Sequence, residues 1–201
     1  MDDQKEMKNA PAEKESVSKT VLTYLHDMIY MLAVVMVVFM LLFRMVIVSG
    51  SSMYSTLWDG DWLLLLSSTF YQNPEYGDIV VASKDTFRGG EPIIKRVIAT
   101  EGQVVDIDFE QGIVYVDGTA LEEDYIYTPT TNWEGMDFPL VVSKGCIFVM
   151  GDNRMGSMDS RDPDIGLVDK REILGKALFL MFPGTDKGHA SRDFDRIGAL
   201  S

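Results

Sequence analysis

Four serines fall within seven positions of "SGSSMYSTL", residues 49–57, directly after a long apolar run. A serine hydroxyl becomes a nucleophile beside a base, so the question is which residue takes its proton. Histidine is the commonest base, and the chain has only His26 and His189. His26 precedes the apolar run and His189 lies in a Gly-rich tail, so neither position suits a triad with these serines. A neutral lysine is the other option. At its reference value of about 10.4 a lysine is protonated at pH 7, and burial against apolar groups must lower it first.

"PIIKRVIAT", residues 92–100, supplies a lysine within an apolar strand. On a strand Lys95 shares a face with Ile93 and Val97. Arg96 is flanked in the same way by Ile94 and Ile98, so alternation leaves open which cation faces inward. A surface strand with two solvated cations is the rival reading. Arginine stays charged, so if either residue is a base it is Lys95.

A third segment, "FVMGDNRMGSMDSRDPDIG" at 148–166, runs from an apolar strand into a dense polar loop. Asp152, Arg154, Asp159 and Arg161 can pair to hold that loop, and Ser157 and Ser160 can hydrogen-bond within it. Taken alone it reads as an ordinary charged loop. "MDSRDPDIG" clusters acids, but the glycine and alternate acids of a calcium loop are missing from the required positions, so no metal is expected, and no cofactor is called for. Cys146 is the one cysteine, which excludes an intrachain disulfide and a thiol-rich metal site. It opens the apolar stretch "GCIFVMG" and reads as a core residue.

The elements that position these groups follow from composition. The chain has 201 residues and a net charge of -13, and residues 49–201 carry thirteen basic against twenty-five acidic side chains. Such a body does not suit a phosphate backbone, so nucleic acid is excluded as a partner. Residues 1–20 read as a solvated tail within an N-terminal segment 1–27. Met28 to Val48 is apolar but for Arg44, and its 21 residues match a hydrocarbon core of roughly 30 Å. A cleavable leader ending near "VSG" is the alternative. The long tail and an apolar run beyond about 15 residues favour an uncleaved transmembrane helix over 28–48. Lys14 and Lys19 precede the span, and after Arg44 the next basic residue is Lys84. That asymmetry predicts a single-pass cell-membrane protein with a cytoplasmic N-terminus and an extracytoplasmic body at 49–201.

The body reads as mainly β: short runs rich in Val, Ile, Leu and Phe recur between Gly and Asp turns. "VVDIDFEQGIVYVDG" alternates about a Gln-Gly turn, "TPTTNWEGMDFPL" at 128–140 reads as a loop, and the polar tail from Gly184 is expected to fray.

Together these segments resemble the type I signal peptidases, membrane-anchored serine proteases of peptidase family S26, and among them the single-anchor Gram-positive-type members. The likeness runs from the anchor to about Phe182. "GSSMYSTLWDGD" is similar to the family's nucleophile box, "YGDIVV" to the next strand box, "IIKRVIATEG" to the general-base box and "MGDNRMGSMDSR" to the last box. The resemblance implies Ser52 as nucleophile, Lys95 as general base and Gly50 as the close-approach position beside the oxyanion donor, the Ser52 backbone N–H. It implies that Ser157 supports the lysine, that Asp159 and Arg161 brace the loop, and that Asp152 is a further structural acid.

It also implies a β-barrel or sandwich catalytic domain with a small hairpin-rich insertion at about 102–146. The implied partners are the lipid bilayer and the signal peptides of exported preproteins, bound as extended strands along 46–50 and 92–95. Ser55 stands where the family usually has Pro, Glu101-Gly102-Gln103 where Pro-Gly-Asp is common, and Gly156 where Asn is usual. Two rivals remain beside this reading. One is a sortase-like transpeptidase using Cys146 and His189; the other is a non-catalytic, membrane-anchored extracytoplasmic β binding module.

Overall fold

A computed structural model of the chain describes residues 12–84, 87, 89–185 and 191–200. The chain divides into two compact units, Met1–Leu41 and Leu42–Ser201. The first is carried by helix α1, Ala12–Leu42. Its stretch Ser18–Leu42, 25 residues with a mean hydropathy of 2.3, is long and apolar enough to cross a membrane. Apolar side chains stand exposed around its circumference, Leu32 and Met40 among them, so the helix has no polar face.

Two expectations are corrected here. The helix begins at Ala12, inside the segment read as a solvated tail, and it stops at Leu42 instead of running to Val48. Residues Phe43–Ile47 form strand β1, which pairs antiparallel with β2, Trp62–Ser67, from Phe43↔Leu66 to Ile47↔Trp62. The β-branched end of the apolar run fits a pleated surface better than a helix. Val46 packs on the buried cluster of Met53, Leu57, Leu63 and Leu65, and Val48 belongs to it.

The body is mainly β. The remaining strands are β3 Ile79–Ala82, β4 Ile93–Thr100, β5 Val104–Asp108, β6 Ile113–Val116, β7 Thr119–Ala120 and β8 Leu140–Val141. They continue with β9 Cys146–Met150, β10 Val168–Asp169, β11 Ile173–Phe182 and β12 Gly198–Ala199. One eight-stranded sheet runs β1-β2-β11-β3-β4-β9-β10, with β12 joined to β11. A four-stranded sheet, β7-β6-β5-β8, lies between β4 and β9 in the chain. The two sheets share a core: Ile98, Phe148 and Met150 from the large sheet meet Val105, Ile107 and Val114 from the small one. Burying such side chains contributes about 1.5–3 kcal/mol each.

The β5–β6 connection spans four residues rather than a two-residue Gln-Gly turn. The Asp108 carboxylate accepts the Glu110 and Gln111 N–H groups and so closes it locally.

The C-terminal segment does not fray where it is described. Phe194–Arg196 is one 3-10 turn, β12 pairs with β11, and Leu200 packs on the core beneath β1 and β2.

Candidate active site

Ser52 sits in the tight turn after β1, fixed from below by the next residue. Met53 is 1% exposed and Leu57 is fully buried, so both pin the turn to the core. The loop after β9 pins it from the side: Asn153 N–H donates to Ser52 O at 3.0 Å, and Asn153 Nδ2 donates to Ser51 O at 3.0 Å. Asn153 was not singled out in the sequence, since an Asn inside a charged loop carries no local signal.

Strand β4 brings Lys95 to this turn. Its Nζ lies 2.8 Å from Ser52 Oγ and 3.1 Å from Ile94 O. The residue is only 4% exposed. Burial pushes the amine from its ordinary 10.5 down to about 8, against the opposing pull of the Asp159 carboxylate.

Arg96, the neighbour that alternation could not distinguish, is also buried, so the solvated-strand reading fails. Its guanidinium grips Asp152 through two bonds of 2.9 Å and donates to Gly77 O at 2.8 Å. Asp152 also accepts the Thr56 hydroxyl, which ties β4 to the nucleophile loop. A cation so paired is a brace; Lys95 lacks such a carboxylate partner at hydrogen-bond distance among the described residues.

The last box is held by buried ion pairs, though not all in the combination expected. Asp159 and Arg161 pair at 2.8 Å and 2.9 Å, both fully buried. Burial alone would raise the Asp159 carboxyl, but the hydrogen bonds and charge of Arg161 hold it below the usual carboxylate range. Asp159 also accepts Gly151 N–H at 2.9 Å, and Arg161 donates to Arg154 O at 2.8 Å. Asp152 pairs outside the loop, with Arg96. Arg154 likewise reaches out, to Glu123 and Thr130, and so ties the segment to the connection between β7 and β8. Glu134, from the 128–140 loop, lies 3.3 Å from Arg161. Burial and the nearby Asp159 charge raise its carboxyl to about 7.

Ser157 is 5% exposed, and among the described residues its Oγ has no hydrogen-bond partner, Lys95 included. It packs against Gly151, where an added Cβ would stand 2.2 Å from Ser157 Oγ and 2.4 Å from Ser52 O. Within the protein, then, close approach is a property of Gly151. Gly50 has open space around a would-be Cβ, but its φ of +92° suits only glycine, and its N–H donates to Asp59 Oδ1 at 2.8 Å. The Tyr54–Ser55 peptide bond is cis.

These groups border a cleft of 510 Å³ whose walls include Val46, Gly50, Ser52, Ile94, Lys95 and Met158. A buried amine beside a hydroxyl at the end of an open cleft can take the hydroxyl's proton, so that the serine oxygen attacks a carbonyl held there. Cys146 offers no comparable site: burial and the nearby Asp169 and Glu172 carboxylates raise its thiol, the opposite of what a nucleophile needs. His189 lies outside the described residues, and His26 stands exposed on α1 beside Asp27.

Comparison with known proteins decides between peptidase and binding module. Residues 21–182 match the family described as "Signal peptidase, peptidase S26". The chain belongs to that family. Signal peptidase I of Bacillus amyloliquefaciens is 34% identical over 187 residues, covering 88% of this chain and 94% of the relative. Signal peptidase I T of Bacillus subtilis (strain 168) is 34% identical over 189 residues, covering 89% and 95%. A crystal structure of a signal peptidase I from Enterococcus faecalis V583 aligns with 52% of this chain and 96% of its own, at 28% identity and a TM-score of 0.43. The protein is therefore a serine peptidase with an apolar N-terminal helix fit to serve as an anchor.

Proposed function

We propose that this peptidase removes signal peptides from exported preproteins, with Ser52 as nucleophile and Lys95 as general base. The observation that carries the reading is the 2.8 Å contact between the Lys95 amine, buried and shifted to about 8, and Ser52 Oγ. Neutral Lys95 takes the Ser52 proton as Oγ attacks the scissile carbonyl, and the tetrahedral intermediate collapses to an acyl-enzyme. The ammonium gives its proton to the departing amine, then takes one from the water that hydrolyses the ester. With Gly50 N–H engaged by Asp59, the Ser52 N–H is the oxyanion donor this reading assigns, and losing such a donor typically costs about 2.7–4 kcal/mol. Asp159 and Arg161 brace the loop that carries Ser157, Asp152 braces β4 through Arg96, and in this reading the free Ser157 hydroxyl turns to the lysine when substrate is bound; Gly50 leaves room for the substrate backbone.

Two backbone edges support an extended substrate. Strand β1 is the outer strand of its sheet. β4 is paired with β3 from Ile93, whereas β9 joins its other side only from Arg96. A peptide lying between 46–50 and 92–95 adds a strand to both edges and ends at Ser52. In the cell membrane α1 anchors the chain with its N-terminus cytoplasmic and the body outside, where preproteins emerge.

The test is preprotein cleavage in detergent. Ser52→Ala, Lys95→Ala and Lys95→Arg each abolish it, because arginine cannot give up its proton. Full activity in any one of them overturns the dyad.

A further inference from the structure

A second hollow, of 250 Å³, opens on the far side of the nucleophile and meets the cleft at Ser51, which lines both. Its other walls are Tyr54, Trp58, Asp59, Tyr127, Asn153 and Thr185. The long cleft takes the part of the substrate that stays on Ser52 as the acyl group. What departs must leave past Ser52 on the other side, and this hollow is what it meets.

The walls are built, not incidental. Tyr54 and Tyr127 meet edge to face, 4.8 Å between ring centroids, and Tyr127 N–H is fixed to Asp152 O at 2.9 Å. Trp58 Nε1 donates to Ser55 O at 3.2 Å. Three rings thus surround a space the size of one long side chain. Among the described residues the charge lining it is the Asp59 carboxylate, oriented by its bond from Gly50 N–H. The nearby cation, Arg196, lies on the Trp58 ring and is matched by the buried Asp61 through bonds of 3.0 and 2.7 Å. Among the described lining residues the charge left to an occupant is negative, and aromatic faces beside a carboxylate favour an organic cation.

We propose that this hollow is a subsite for a basic side chain, lysine or arginine, carried by one of the first two residues after the cut. This inference rests on the peptidase reading above. Its stem lies on Tyr54, Trp58 and Tyr127, and its cation faces Asp59.

The experiment uses the full-length protein in detergent and a signal-peptide substrate randomised at the two positions after the cut, with products read by mass spectrometry. Matched substrates then give kcat/KM for lysine, methionine and glutamate at the favoured position. Lysine should exceed methionine by roughly fivefold. Asp59→Asn should bring that ratio close to one, and Asp59→Lys should turn it in favour of glutamate. Tyr127→Ala should lower the lysine-to-methionine ratio as well. Because each readout is a ratio within one variant, a general loss of rate does not disturb it. A wild-type ratio of one, a preference for phenylalanine over lysine, or a ratio that survives both Asp59 variants overturns the assignment. Failure of the wild type to cut any library member or preprotein strikes the peptidase reading itself.

Discussion

Lys95 and Arg96 are adjacent on one strand, yet both are buried, and the reason is chemical. β4 has protein on both faces, so alternation cannot send one of the two cations to solvent. Arg96 is tolerated because Asp152 neutralises it at 2.9 Å; Lys95 is tolerated because it can shed its proton. The sign of the second effect can be worked out. The folded amine titrates at about 8 and an ordinary lysine at 10.5, so between those values the unfolded chain binds more protons and stability rises with pH. Below pH 8 the buried ammonium costs up to about 3 kcal/mol. Lys95→Met should therefore abolish activity while raising the stability measured by urea unfolding at pH 7, with the gain fading between pH 8 and 10.5. In the wild type, kcat/KM should climb as pH rises through about 8 and then level off; a flat profile from pH 6 to 10 would remove Lys95 from the role of base.

Whole strands were legible from local apolar runs, but the ends of elements and the partners of loops were not. Hydropathy alone reads Phe43–Ile47 as membrane-spanning, because an apolar edge strand and the last turns of an apolar helix have the same composition; β2, which decides the matter, lies further along the chain. Composition likewise reads the polar C-terminal segment as fraying, because the partner that holds its described part, 191–200, is distant in the chain. Its anchor is an ion pair between Arg196 and Asp61, 135 residues apart. Arg196 also donates to Thr56 O at 3.1 Å and stacks on Trp58 at 3.8 Å, so it staples the loop carrying Ser52. Asp61 is fully buried and takes the Trp58 N–H as well, at 2.7 Å. Arg196→Ala should lower stability by about 2–3 kcal/mol, since it leaves a buried carboxylate short of charge. It should also reduce kcat more than it raises KM, because the nucleophile loop loosens while the cleft walls remain. Arg196→Lys should recover part of both. Urea titration and steady-state kinetics on preprotein substrate check this, and a variant with native kcat would make the strap a purely structural tie.

At the scale of the molecule, the boundary between anchor and body decides what a soluble enzyme must contain. A cut placed by the apolar run alone would remove everything to Val48. The structure puts the boundary at Leu42, because β1 contributes the outer strand of the large sheet and Val46 and Val48 join the cluster that holds Met53 and Leu57. Removing β1 strips a ladder of five residue pairs from β2 and exposes a face that otherwise supports the nucleophile turn. A fragment beginning at Phe43 should unfold cooperatively, cleave short soluble peptides and fail to co-sediment with lipid vesicles, because the 25-residue apolar stretch is gone. A fragment beginning at Ser49 should lose about 3 kcal/mol, from buried Val48, half-buried Val46 and an unpaired strand edge, and with it the ordered position of Ser52. Thermal melts followed by circular dichroism, with peptide hydrolysis as the second readout, separate the two. Equal stability and activity in both fragments would mean that β1 belongs to the anchor after all.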